Sequence, residues 1–315
     1  MNSDTMKSPQ YQLETPVLFI TFRRPDTTRK VLEMIRQAQP KRLYIAQNFP
    51  CSTNTEEIKK WNGVRAIIEN IDWDCDVRRL YRTHYLDAKT SISTAINWFF
   101  ENEEEGIILE DDCLPHPTFF RFCEELLEKY RDDERVAMIS GDNFQFGRKR
   151  TEYSYYFSRY PHIWGWASWR RAWENYDVDM KLWHEIRDGG WLQDWLGDKK
   201  SVRYWKKIFE KVYQGKIDTW DYQWVFSCWA QSAMSIMPNV NLVSNIGFGS
   251  EALHTTEKNK FAEMEIEPMR FPLSHLGYIL RDSVADSITE NKMFSGQPLL
   301  LRAMTKLKQI MKRVL

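Results

Sequence analysis

Between residues 16 and 141, strand-length apolar or alternating runs take turns with stretches of helical period, and this rhythm limits the fold more than any other feature. PVLFITF (16–22), RLYIAQ (42–47), DVRRLYR (76–82), GIILED (106–111) and VAMISG (136–141) read as strands. PDTTRKVLEMIRQAQ (25–39), TEEIKKWNGVRAIIENI (55–71), KTSISTAINWFFENE (89–103) and PTFFRFCEELLEKYRDD (117–133) read as helices, the first opened by Pro25 and Asp26, the second weakened by Gly63. Alternation of this kind predicts βαβ units, right-handed crossovers and a mostly parallel α/β sheet flanked by helices.

From about residue 150 the rhythm breaks. TEYSYYFSRYPHIWGWASWRRAWENYD is aromatic and irregular, and helix-like segments follow at 201–216 and 221–233. Eleven of the fourteen tryptophans fall between Trp164 and Trp229. Large rings suit a core, which accounts for most of them, and they also stack on sugars, which is expected of one or two. With no repeat or linker, the second half reads as a lobe on the same sheet. One domain is expected over 16–275, in halves 16–145 and 146–275, with a polar tail (1–15) and an extension (276–315).

Forty-four Lys and Arg balance forty-four Asp and Glu, which argues against a nucleic-acid partner held by a broad phosphate footprint. The five cysteines, at 51, 75, 113, 123 and 228, are odd in number and scattered, so free thiols in a reducing compartment are expected. MNSDTMKSPQYQLETP lacks the apolar core of a signal peptide and no run is long enough to span a membrane, making the cytoplasm the default location. The end of the chain, 298–315, has Leu300, Met304, Leu307, Met311 and Val314 at four-three spacing, with five basic residues and no acid. It reads as an amphipathic helix, packed on the body or a partner, or lying peripherally on the anionic inner face of the plasma membrane.

The chemistry concentrates at Glu110, Asp111 and Asp112. They follow the buried run Ile107–Leu109 and precede a turn marked by Pro115 and Pro117, so they lie at a strand's C-terminal end, where open α/β sheets keep their ligand crevice. If the chain stays extended, Glu110 and Asp112 point to one side and Asp111 to the other. A solvated strand end is the plain alternative; a cation or a set of hydroxyls is what such a cluster would bind. Arg24 follows the first strand, where a cation suits an anionic ligand. Asp218 and Asp221, in DTWDYQW, are candidate bases, and Asp221 could equally cap the helix after it.

These stretches together resemble GT-A-fold glycosyltransferases, in particular the N-acetylglucosaminyltransferase I family and its bacterial relatives. The resemblance runs from PVLFITFRRP through WFFENEEEGIILEDDCLPHPTFFRFCEELLEKYRDDERVAMISGDNF to HIWGWASWRRAW and NLVSNIGFGSEALHT, roughly residues 16 to 256. It implies a Rossmann-like GT-A sheet with an aromatic-rich acceptor lobe, a nucleoside-diphosphate-sugar donor (UDP-sugar favoured), a glycan or lipid-linked glycan acceptor, and Mn²⁺ or Mg²⁺ bridging protein and diphosphate. By resemblance Asp112 is the direct metal ligand. Glu110 and Asp111 address ribose hydroxyls or metal-bound water, and Arg24 lies beside the nucleotide. Asp221 is the base of an inverting transfer, with Asp218 its rival. Gly165, Trp166 and Trp220 border the acceptor and donor sugar. NIGFGSEALHTT (245–256) closes over the diphosphate, with Gly247 and Gly249 supplying mobility and His254 completing the metal shell. His84, His116, His162, His184 and His275 receive no role.

The chain departs from its relatives at two places that face the nucleotide in that family. Asn48-Phe49-Pro50 stands where they often have Asp-Gly-Pro, and Tyr85-Leu86-Asp87 where they often have Asn-Leu-Gly. The resemblance therefore does not fix the base. The activity implied is metal-dependent inverting glycosyl transfer, in surface-polysaccharide assembly of bacterial type. Two alternatives are a sugar-phosphate nucleotidyltransferase, which the glycine-free ITFRRPDTTRK disfavours, and a non-catalytic carbohydrate-binding protein, which the intact acids disfavour.

Overall fold

The computed structural model describes residues 12–51, 54–248 and 264–295. The first half runs β1 (Val17–Thr21), α1 (Pro25–Ala38), β2 (Arg42–Gln47), α2 (Thr55–Glu69), β3 (Asp76–Tyr81), α3 (Ala88–Asn102), β4 (Glu105–Glu110), β5 (Cys113–Pro115), α4 (Thr118–Lys129) and β6 (Val136–Ser140). The second half adds β7 (Tyr155–Ser158), β8 (Trp166–Trp169), α5 (Arg170–Trp173), α6 (Trp183–Asp188), α7 (Trp191–Leu196), α8 (Lys199–Tyr213), α9 (Asp221–Ala230), β9 (Met234–Pro238), β10 (Val243–Asn245) and α10 (Ser283–Met293).

Eight strands form one sheet in the order β3-β2-β1-β4-β8-β6-β9-β7. The links β3-β2, β2-β1, β1-β4 and β6-β9 are parallel; β8 and β7 run against their neighbours. The expected mixed α/β sheet, mostly parallel and flanked by helices, is therefore the architecture. From β1 the chain moves outward to β2 and β3, then returns to place β4 on the other side. The order thus reverses between β1 and β4, where open sheets form a crevice beyond the strand ends.

Both faces of the sheet are covered, which explains the continuous apolar runs. Val17, Phe19, Ile107 and Leu109 pack on one side with α1, α2 and α4. Leu18, Ile20 and Ile108 pack on the other with α3 and the tryptophan-rich helices. Eight of the eleven clustered tryptophans (Trp166, Trp169, Trp173, Trp183, Trp205, Trp220, Trp224 and Trp229) are buried, so core packing absorbs most of them. Helix α10 is tied to the body by two of its own buried acids. Ser158 Oγ donates to Asp286 at 2.6 Å, and Tyr160 Oη and Trp205 Nε1 donate to Glu290 at 2.6 and 3.0 Å.

Leu13 is fully buried, and its N–H donates to the Ala38 carbonyl. The five cysteines are free thiols. No helix among the described residues is long and apolar enough to cross a membrane. The amphipathic segment 298–315, Gly249 and His254 lie outside the described residues.

Candidate active site

A cavity of about 1420 Å³ opens at the β1/β4 reversal. One wall is made by strand ends and the turns after them: Thr21 to Arg24 beyond β1, Asn48 beyond β2, and Glu110 to Cys113 beyond β4. A second wall is the segment Gly215 to Tyr222, which leaves α8 and enters α9. Trp164, Asn245, Gly247, Phe248, Tyr85, Leu86 and Lys211 also line it.

The strand does not continue past Glu110, so the expected alternation of the three acids fails. The chain turns at Asp111, and Asp111 and Asp112 both face one guanidinium. Arg24 Nη1 donates to Asp111 Oδ1 at 3.2 Å and to Asp112 Oδ2 at 2.5 Å. The Phe22 N–H donates to Asp111 Oδ2 at 3.0 Å, so the end of β1 fixes the middle acid directly. Asp111 is 5% exposed.

Glu110, Asp111, Asp112 and Asp221 share this region, and Arg24 is the cation that contacts Asp111 and Asp112. Burial pushes the Glu110 carboxyl up to about 8; Asp112, Asp111 and, more weakly, Asp221 add to the rise against the pull of Arg24. Burial likewise pushes Asp111 up to about 6, opposed by Arg24 and by the Phe22 N–H. For Arg24 burial acts downward, but Asp112, Asp111 and Glu110 outweigh it and hold the guanidinium above its usual range. A divalent cation would relieve the crowding that drives these carboxyls toward protonation, and carboxyl oxygen suits Mg²⁺ or Mn²⁺. Among the described residues no three side chains are grouped as ready ligands. Asp112, whose Oδ2 Arg24 engages, is the carboxylate of this group that could hold such a cation.

Gly247 is bound to this corner by packing. The β10–β5 ladder pairs Asn245 with Cys113, and the Ile246 N–H donates to the Asp112 carbonyl at 2.8 Å. A Cβ on Gly247 would lie 2.2 Å from Asp112 Oδ2 and 2.8 Å from Asp112 Cβ. Only glycine lets the two segments approach so closely.

The two candidate bases are separated by their hydrogen bonds. Both oxygens of Asp218 are engaged at the N-terminus of α3, accepting from the Ala88 N–H at 3.1 Å and the Lys89 N–H at 3.0 Å. Asp221 is the first residue of α9, with Trp220 in the capping position, so it is not the cap of that helix. Its Oδ1 accepts from Thr219 Oγ1 and from the Tyr222 N–H. It lines the cavity and lies close enough to Glu110 to raise that carboxyl.

Trp166 has no face to offer a sugar. It is 1% exposed on β8 and packs among Trp173, Trp220 and Trp224. Gly165 is buried, at φ +63°, and a Cβ there would lie 2.8 Å from Val243 Cγ2 and 3.1 Å from Leu109 Cδ2; packing and backbone conformation require glycine. Trp220 lines the cavity but is 4% exposed, its ring stacked on Trp166. The more accessible aromatic faces are those of Trp164 and Phe248, to which the sequence assigned no role, and of Tyr85, in one of the two departures. Trp164 and Phe248 meet edge to face at 5.8 Å, and Tyr85 is 46% exposed at the rim. Period two puts Trp164 and Trp166 on the same side of an extended strand, but the left-handed turn at Gly165 separates their fates.

The two departures from the family pattern meet here. Asn48 Nδ2 donates to the Leu86 carbonyl at 2.8 Å, and the Leu86 N–H returns to Asn48 Oδ1 at 3.2 Å. Asp87 caps α3 through the Thr90 N–H. Asn48 thus ties the end of β2 to the main chain that leads into α3.

No family model matches the chain, and no curated protein matches it. Solved structures do match, at low similarity. HddC from Yersinia pseudotuberculosis is 10% identical over 51% of this chain and 80% of its own, with a TM-score of 0.32. An apo UDP-glucose pyrophosphorylase is 13% identical over 72% and 90%, with a TM-score of 0.37. The 4-diphosphocytidyl-2C-methyl-D-erythritol synthase of Anaerococcus prevotii DSM 20548 is 8% identical over 74% and 90%, also at 0.37. Likeness at this level carries no activity across to this chain.

Proposed function

We propose that this protein is a divalent-cation-dependent enzyme that moves a sugar from a nucleoside diphosphate to an acceptor hydroxyl with inversion. The observation that carries the reading is one cavity holding both parts of the chemistry. Asp111 and Asp112 sit with Arg24 at the sheet reversal, and Asp221 sits on a separate wall within electrostatic reach of Glu110. Arg24 faces the diphosphate end of the donor, Asp112 would hold the cation that binds it, and Asn48, Tyr85 and Leu86 border its nucleoside. As the acceptor oxygen bonds to the anomeric carbon, its proton passes to the Asp221 carboxylate; the bond from that carbon to the diphosphate breaks, and the diphosphate leaves with the electron pair. A cation on Asp112 would supply Lewis-acid neutralisation of that leaving group. Trp164 offers the sugar a stacking face.

Nucleotidyl transfer from a nucleoside triphosphate to a sugar phosphate is the second reading. Arg23 and Arg24 at the β1–α1 turn favour it as triphosphate partners. Against it, Phe22-Arg23-Arg24-Pro25 contains no glycine to let backbone amides close on phosphates, and Asp221 would have no task. Sugar nucleotides offered with Mn²⁺ separate the readings. Release of nucleoside diphosphate supports transfer. Pyrophosphate formed from a triphosphate and a sugar phosphate supports the second reading. With neither product, a non-catalytic carbohydrate-binding protein is left.

A further inference from the structure

Helix α8 turns Ser201, Trp205, Phe209 and Val212 into the core. Its outer side is basic: between 199 and 216 the chain has seven Lys or Arg against one acid, Glu210, in a protein whose net charge is zero. Lys200, Arg203, Lys207 and Lys211 follow at steps of three, four and four, one stripe about 16 Å long. Glu210 does not neutralise it, being held by Trp183 Nε1 at 2.9 Å and Arg187 Nη1 at 3.0 Å. Lys200, Arg203 and Lys207 make no ion pair among the described residues. A solvated helix face could carry such charge, but this stripe has a destination. Lys211 and Lys216 line the cavity, and the same segment continues to Asp221.

We infer that the acceptor is an anionic glycan chain, with carboxylate or phosphate groups along it, that lies on the α8 stripe and enters the cavity past Lys211 and Lys216. This rests on the glycosyl-transfer reading, deepening it by naming the acceptor class. A single file of cations leading inward matches a chain with periodic charges. A flat anionic membrane could meet the outer lysines but could not reach those that line the cavity.

The test uses the full chain and fluorescent oligogalacturonate, with a neutral dextran oligosaccharide of equal length as control. Anisotropy should show binding of the acidic chain that weakens as salt rises, and no binding of dextran. Arg203→Glu with Lys207→Glu should weaken binding about tenfold. The thermal shift given by UDP and Mn²⁺ should stay at the wild-type value, because that ligand occupies the acidic wall. Lys207→Gln, which introduces no repulsion, should show a smaller loss in the same direction. Absence of salt-sensitive binding, equal binding of dextran, or no response to the double substitution would overturn the proposal. So would sedimentation with phosphatidylglycerol vesicles that needs Arg203 and Lys207 while oligogalacturonate fails to bind. The assay needs no turnover, so the two ideas fail separately. Diphosphate release without polyanion binding leaves a transferase with a neutral acceptor; the converse leaves a polyanion-binding protein.

Discussion

The acidic wall of the cavity is made of strand ends, whereas the wall carrying Asp221 is a loop and the first turn of a helix. On the first, Asp111 is fixed by a backbone N–H of β1 and, with Asp112, by Arg24, all within a few residues of a parallel strand pair. On the second, Asp218 and Asp221 lie three residues apart, and only their partners distinguish them. A wall built from sheet geometry places every acid at the cavity. A wall built from a loop ties one of its two cavity-lining acids to a neighbouring helix and sets the other at the start of α9.

The comparison breaks most decisively at Asp112. Asp112→Ala should remove cation-dependent binding of nucleoside diphosphate and lower turnover by about 10³ to 10⁴. Calorimetry with and without Mn²⁺ reads the first effect, and diphosphate release reads the second. EDTA should act in the same direction on wild type and have no further effect on the variant. Unchanged turnover in metal-free buffer would remove the cation from the mechanism. Asp221→Asn keeps shape and removes the proton acceptor. It should bind donor as wild type does and transfer about 10² to 10³ times more slowly. If donor binding falls with rate, Asp221 belongs to the acidic wall and the division into two walls is wrong.

Gly247→Ala asks how tightly the acidic wall is packed. The added carbon would overlap the Asp112 carboxylate, so Asp112 must move. Affinity for the cation and nucleotide should fall about tenfold, in line with losses seen when a ligand's supporting shell is disturbed.

The same wall sets a pH dependence. Glu110 is raised from its ordinary range to about 8, so it favours the fold while protonated, fully below about pH 4 and progressively less as pH rises through 8. Asp111, raised to about 6, acts in the same sense at lower pH. Without added cation, melting temperature should therefore fall from pH 5 to pH 8.5. Glu110→Gln should flatten that slope and raise the melting temperature at pH 8.5 but not at pH 5. Mn²⁺ should stabilise wild type most at the alkaline end. A slope unchanged in Glu110→Gln would place the titration elsewhere.

Much of the acidic wall was legible because sheet geometry is periodic. Five of the six strands of the first half fall within a residue or two of their expected bounds, the short β5 being the one not anticipated, and strand ends on a parallel sheet have a known destination. The turn at Asp111 was not legible, since alternation holds only while the chain stays extended. The other wall was less so. Trp166 and Trp220 looked available because aromatic residues serve core and sugar alike, and only packing around Trp173 and Trp224 shows which. Trp164 escaped notice because the left-handed backbone at Gly165 has no unambiguous mark in sequence. Asp218 differs from Asp221 through a contact with Ala88 and Lys89, about 130 residues away, which no local pattern reveals.

That contact gives the smallest effect and the sharpest test of the comparison. Asp218 accepts two N–H groups at the first turn of α3, so its charge also meets the positive end of that helix. Asp218→Asn leaves one acceptor oxygen and no charge. Because Asp218 is exposed and Asp87 caps the same helix, the loss should be modest, about 1 kcal/mol or a fall of about 2 to 4 °C in Tm. Turnover below the melting transition should change by less than about threefold, since no proton transfer is assigned to this group. Measured beside Asp221→Asn, the pair should separate cleanly: one variant loses stability and keeps rate, the other loses rate and keeps stability. If Asp218→Asn is instead inactive with an unchanged Tm, the base has been assigned to the wrong aspartate, and the α3 contact is a resting state that the acceptor displaces.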